Sequence, residues 1–156
     1  MRYQLPLYAY VVEIVRDEQA ARDVVQEAFI NATRYIRSLR DDARFGSWLF
    51  GIAHQKCQEH WRRRKWEMAP LEEQVETLAD RGERPDAELV RLEDKQRFMK
   101  ALRDLAPPHR EVLLLHFLEN FPLQEIADIT GVGLGTVKSR IHYAKKALRQ
   151  AIENRP

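Results

Sequence analysis

Along most of this chain apolar side chains return every third or fourth residue and rarely every second. That is the period of helices with one buried side. No stretch alternates as a strand does, so the pattern predicts an all-α protein. Tyr3 to Val15 reads as a first helix, interrupted early by Pro6. Asp17 can cap a second that runs to about Ile36, with Val24, Val25, Ala28, Phe29, Ala32 and Ile36 turned inward. RSLRDDARFGS is a polar connector. A third helix is expected from about Ser47 to Arg64, burying a stripe of Trp48, Leu49, Ile52, Ala53, Cys57 and Trp61.

After Trp66 the period lapses. Acids far outnumber bases from there to Asp94, and Pro70, Gly82 and Pro85 punctuate the run. Residues 66 to 85 read as a linker. Asp86 can cap a helix through Leu105, with Leu89, Leu92, Met99, Leu102 and Leu105 inward. Pro107-Pro108 closes it and suits the start of another, HREVLLLHFLE. Phe121-Pro122 breaks again. Leu123 to Thr130 is a short helix, and the last runs from about Gly133 to Ile152. The expected organisation is therefore two small helical domains, residues 1–65 and 86–156, on either side of an acidic, flexible linker. Units this small bury only ~60 per cent of their surface and are marginal alone, which favours a protein that works docked to something.

Composition changes this picture little. Hydrophobic residues are 44% and charged residues 32% of 156, and the net charge of +2 hides strong segregation. The lone cysteine, Cys57, excludes an internal disulfide and suits a reducing cytosol. The apolar start, LPLYAYVVEIV, has no basic lead and carries Glu13, so it reads as neither signal peptide nor membrane span.

The candidate chemistry lies where the cations gather. In LQEIADITGVGLGTVKSRIHYAKKALR a short helix, a turn at Gly131 and a longer helix follow in order. Ala127 is small where two helices cross, Gly131 can take φ > 0, and Val137 points back between them. These independent demands describe a helix-turn-helix. On a wheel of the last helix Val137, Ile141, Ala144, Leu148 and Ile152 share one side. Ser139, His142, Tyr143, Lys146 and Gln150 lie opposite, flanked by Lys138, Arg140, Lys145 and Arg149. Gly133 and Gly135 leave amides uncovered at the positive helix end, where a phosphate can sit. The object this helix fits is the DNA major groove. A second cationic surface, HQKCQEHWRRRKW, sets Lys56, Arg62, Arg63, Arg64 and Lys65 beside Trp61 and Trp66. Cations beside aromatics suit a single-stranded or melted segment. Two such surfaces on a joint that spans roughly 25 Å, and more when extended, can engage one DNA molecule together.

At this point a resemblance covers nearly the whole chain. ARDVVQEAFINATRYI, FGSWLFGIAHQKCQEHWRRRK and the segment LAPPHREVLLLHFLENFPLQEIADITGVGLGTVKSRIHYAKKALR together resemble a group IV, extracytoplasmic-function sigma factor of bacterial RNA polymerase, in the sigma-70 family. The resemblance implies a first unit docked on the β′ clamp helices of core polymerase through Asp23, Gln26, Glu27, Asn31 and Arg34. It implies that the connector from Ser38 to Ser47 and the head of the third helix hold one flipped −10 base, with Phe45, Ser47, Trp48, Gln55, Lys56, Arg62, Arg63 and Arg64 on the DNA. It implies that Thr136, Lys138, Ser139, Arg140, His142, Tyr143 and Lys146 face the −35 element. Gln55 stands where relatives usually carry Asn, Glu59 near a usual Asp, Tyr143 where Arg is common, and Gly133 in place of a frequent Pro. The chain begins about one helical stretch late against the family pattern, so either a start upstream of Met1 or a short first helix is expected. A cytoplasmic location, promoter DNA as partner and an anti-sigma protein, often at the membrane in relatives, follow from the same resemblance.

Two rival readings are weaker on the residues. A stand-alone helix-turn-helix regulator would need a dimer seam, and no heptad is present; it also leaves DVVQEAF without a task. His54, Cys57 and His60 spread over ~120° of a helix, a poor convergence for one zinc, so no metal or other cofactor is expected. No catalytic triad, P-loop or paired acid and base stands on an identifiable scaffold, so no enzymatic activity is expected.

Overall fold

The computed structural model describes residues 2–67 and 89–153. Among them α1 (Gln4–Val15), α2 (Glu18–Tyr35), α3 (Phe45–Glu67), α4 (Leu89–Asp104), α5 (Pro107–Glu119), α6 (Leu123–Thr130) and α7 (Leu134–Glu153) follow in order, with no strand. The all-α expectation holds. The expected linker falls outside the described residues from 68 on, as does Asp86; its first two residues extend α3. The side chains of Leu89 and Leu92 also lie outside what is described.

Local chemistry explains most boundaries. Pro6 does not interrupt α1. It falls in the first turn, where its missing N–H has no helical acceptor to lose. Asp17 caps α2 as expected, its carboxylate accepting from the amides of Gln19 at 3.0 Å and Ala20 at 3.3 Å. The connector folds into two 3-10 turns, Ile36–Ser38 and Asp42–Arg44, the second capped by Asp41. Ile36 therefore leaves the inner side of α2 and is exposed. Pro107 and Pro108 open α5, where their fixed φ suits the first turn. Asn120 ends it in the left-handed region at φ 53°.

The buried side of α3 differs from the expected stripe. Leu49, Phe50, Ala53, His54 and Cys57 are buried, Trp48 and Ile52 are half-buried, and Trp61 is 40% exposed. The reason is that α3 has neighbours on two sides, α1 and α2 on one and α6 on the other. A single-sided wheel cannot anticipate that. Nor are the two halves separate in packing. One continuous core joins Leu7, Tyr10, Ile14 and Phe50 to Val112, Leu115, Phe121 and Ile126. Helix α1 lies on α5 and α3 lies on α6. The ring of Phe50 meets Phe121 edge-on at 5.2 Å.

Candidate nucleic-acid interface

Helices α6 and α7 form the expected helix-turn-helix. Gly131 closes α6 at φ 75°, its N–H bonded to the Ala127 carbonyl at 2.8 Å. That backbone region is strained for any residue with a Cβ. Ala127 and Val137 are buried at the crossing, and Val137 donates to the Gly133 carbonyl at 3.0 Å as α7 begins. Nothing lies within 4 Å of where a Cβ would stand on Gly133 or Gly135, so this helix start is open to a ligand. Val137, Ile141 and Ala144 seat α7 on the core. Leu148 is only half-buried, and Ile152 is exposed at the end of the helix.

Of the residues expected at duplex DNA, Thr136, Lys138, Ser139, His142, Tyr143 and Lys146 are exposed. The rings of His142 and Tyr143, both exposed, meet edge-on at 5.3 Å. Arg140 departs from the expectation. It is half-buried and near enough to Glu111 of α5 to draw that carboxyl downward. It leans toward the body of the protein because it lies about 40° from Ala144 and about 60° from Val137 on the wheel.

The second surface gathers at the head of α3. Phe45 stacks obliquely between Tyr3 at 5.6 Å and Trp48 at 5.9 Å. Ser47 donates to the Arg44 carbonyl at 3.2 Å. Beside them the connector residues Leu39, Arg40 and Arg44 face Trp48 and Gln55 across a cleft of about 510 Å³. Its far wall is Asp128–Gly131 of α6 and the turn. Gln55 is exposed, and so are Arg62 and Arg63; Arg64 is half-buried. Lys56 is partly neutralised by Glu59 at 3.4 Å. Trp61 donates its indole N–H to the Ile14 carbonyl at 3.3 Å, which fixes it to α1. The side chains of Lys65 and Trp66 lie outside the described residues.

Beneath both surfaces is a set of buried polar groups. The Tyr10 hydroxyl pairs with Nδ1 of His54 at 3.1 Å. Burial pulls His54 down to about 4 and pushes Cys57 up to about 12, with Glu111 adding to the latter. Burial also pushes Glu111 up to about 7, against the pull of Arg110 and Arg140. A neutral His54 and a protonated Cys57 belong to the core. Among the described residues no group of three His, Cys, Asp or Glu is placed to hold a metal ion.

The sequence matches the family description "Sigma-70 region 2" over residues 1–67 and "Sigma-70, region 4" over residues 95–148. It is 31% identical to the RNA polymerase sigma-H factor of Pseudomonas aeruginosa, across 98% of this chain and 83% of that protein. It is 29% identical to the ECF RNA polymerase sigma factor SigW of Bacillus subtilis, across 97% of this chain and 86% of that one. The chain belongs to the sigma-70 family, in its extracytoplasmic-function group. Its fold is shared by the sigma factor RpoE of Bartonella quintana, solved in complex with the anti-sigma factor NepR, with a TM-score of 0.75, 24% identity and coverage of 99% of this chain and 96% of that one.

In this sigma factor the outer side of α2 is the third surface of interest. Asp23, Gln26, Glu27 and Arg34 are exposed along it and Asn31 is half-buried, while Val24, Val25, Ala28 and Ala32 are buried opposite. Gln19 donates to the Asp23 carboxylate at 3.2 Å. Sequence reasoning missed Ile30. It is 49% exposed in the middle of this polar stripe, one turn from both Glu27 and Arg34. Its signal was an apolar β-branched residue out of phase with Val24 and Ala28.

Proposed function

We propose that this chain is a promoter-specificity subunit of bacterial RNA polymerase and has no catalytic activity of its own. Residues 1–65 form its core-binding and −10 unit, residues 66–85 its linker and residues 86–156 its −35 unit. Core polymerase is held by Asp23, Gln26, Glu27, Asn31 and Arg34, to which we add Ile30 as the apolar centre. Acidic and amide groups around one exposed isoleucine suit a basic surface such as the clamp helices. The cleft between the connector and the head of α3 takes one flipped −10 base, with Trp48 as its aromatic wall, Ser47 and Gln55 as polar contacts and Phe45 packed against Trp48. Lys56, Arg62, Arg63 and Arg64 follow the strand that leads away from it. Thr136, Lys138, Ser139, His142, Tyr143 and Lys146 read or hold the −35 duplex, and Arg140 reaches only a phosphate at its edge.

The observation that carries this reading is the order of two sigma-70 regions on one chain, each with an exposed cationic surface where DNA would lie. Among the described residues no helix is long and apolar enough to cross a membrane, and we place the protein in the cytoplasm, where polymerase works. By analogy with the Bartonella sigma factor solved with NepR, we infer an anti-sigma protein as a further partner. Run-off transcription with core enzyme on a random promoter library tests the proposal. The expected outcome is initiation from templates that share two short elements about two helical turns apart. If core enzyme initiates no better with the chain than without it, the proposal fails.

A further inference from the structure

A groove of about 750 Å³ runs between α1, α4, α5 and α7, and none of its lining residues is among those proposed for polymerase or DNA. Its floor is Leu102, Leu113 and Leu114, all buried, and Phe98, Phe117 and Ile152 stand exposed along its rim. Exposed apolar side chains around a buried apolar floor, at a volume within the ~300–1,000 Å³ of small-molecule sites, mark a place built to cover a ligand. The charged groups on its walls are few and unequal. Glu13 is engaged by Arg103 through two parallel hydrogen bonds of 3.1 Å. Lys145 and Arg149 are exposed one turn apart on α7, and neither forms an ion pair with a described residue. Lys145 instead holds its ammonium over the Phe117 ring, 5.4 Å from the centroid. Cations at i and i+4 on a helix repel each other. Glu153, one turn further on, can offset only one of them.

That combination selects the occupant. A neutral apolar guest leaves the two cations unanswered, and a small hydrophilic anion leaves the apolar walls in water. A bilayer surface is too broad to reach a floor enclosed by four helices. An aliphatic chain that ends in one anionic head meets every demand. We propose that the groove binds a single fatty carboxylate in monomeric form, its chain laid over Leu102, Leu113 and Leu114 and its head between Lys145 and Arg149. Burial of the chain supplies most of the affinity, and the charge-assisted bonds to the two cations set the orientation. The site does not depend on the promoter-reading role, because it shares no residue with the surfaces that carry that role.

Isothermal titration of the full chain with laurate, kept below its micelle-forming concentration, tests this. Dodecanol, which has the same chain and a neutral head, is the control. Laurate should bind one to one with a Kd of about 1–100 μM, the range expected for a ligand of its size. Replacing Lys145 and Arg149 together by Ala should weaken laurate by about tenfold or more, the loss expected with its charge-assisted contacts, and leave dodecanol unchanged. Ala9→Trp, which fills the groove from α1, should abolish binding of both. The double alanine variant alters exposed positions only, so it decides the matter if the tryptophan variant does not fold. Absence of saturable laurate binding overturns the proposal. So does dodecanol binding as tightly as laurate, or a double variant that binds laurate as wild type does. If the chain instead binds vesicles containing phosphatidylglycerol and ignores free laurate, the face meets a membrane and the proposal falls. It falls equally if laurate binds only after residues 68–85 are replaced by a Gly/Ser segment of the same length, because the groove then belongs to the chain's own connecting segment.

Discussion

Glu111 and His54 set opposing pH dependences in one core. His54 is held down to about 4 by burial, from an ordinary value of 6.5. The stability this contributes is present above pH 6.5 and is lost as the pH falls toward 4, because the unfolded chain takes up a proton that the fold refuses. Glu111 is pushed up to about 7 from 4.5. Its contribution has the other sign. It is complete below pH 4.5 and is lost as the pH rises toward 7, where the unfolded chain has released a proton that the fold retains. Between 4.5 and 6.5 the two slopes offset each other, and wild-type stability should be nearly flat. Glu111→Gln removes one of them. It should stabilise the protein by about 2–3 kcal/mol at pH 7 and by almost nothing at pH 4.5, with a steep fall from pH 6.5 downward. Urea unfolding at these pH values checks it, and parallel wild-type and variant profiles would refute it.

At the scale of elements, the turn and the outer side of α2 make separate claims. Gly131 sits at φ 75° with nothing within 4 Å of its Cβ position. Gly131→Val therefore introduces no clash, only backbone strain of about 1–2 kcal/mol. The strain is relieved by shifting α7 against α6. Duplex affinity should fall by about tenfold or more while core-polymerase affinity stays unchanged; an equal loss of both would mean global unfolding instead. Ile30→Glu should do the reverse. Ile30 is 49% exposed, so thermal stability should hardly move, while core affinity drops by about tenfold, the loss typical of one central apolar contact. A titration of labelled core enzyme reads it, and unchanged affinity would remove Ile30 from the interface.

These elements also mark how much the sequence disclosed. The Asp17 cap, the double proline and the Gly131 turn are legible because each is a local demand for one residue type. The buried sides of α2 and α7 are legible in their middle turns because their neighbours, α1 and α3 for α2 and α4, α5 and α6 for α7, leave one side of each helix open; at the ends Ile36 and Ile152 turned out exposed. Helix α3 was misread at Trp48 and Trp61 because it is packed from two directions, and Arg140, which the wheel put on the flank and the resemblance put at the −35 element, is half-buried because its long side chain reaches toward Glu111. The seam between the halves left no trace at all. Glu13 and Arg103 are 90 positions apart, and no period or motif records a pairing between a buried acid and a partner at that distance.

For the whole molecule, the small net charge is misleading, because exposed cations gather on α7 and at the end of α3, the two surfaces proposed for DNA, while acids outnumber bases in the sequence from 66 to 94. Promoter binding by the holoenzyme should therefore depend on salt as though the chain were strongly basic. Each phosphate that a side chain neutralises releases counterion and contributes about 0.9 to the slope of log K against log salt. Lys138 and Lys146 are both exposed on α7, and neither forms an ion pair with a described residue. Replacing both by Ala should make the slope shallower by about two. The affinity loss should exceed that of the isolated −35 contact, because releasing α7 also removes the tethering that concentrates the −10 unit near its strand. Filter binding or fluorescence anisotropy between 50 and 200 mM salt, about a fourfold range over which such contacts change affinity most visibly, separates the outcomes. A parallel downward shift with unchanged slope would mean that these lysines position α7 without touching phosphate. An unchanged curve would mean that α7 does not lie on the DNA.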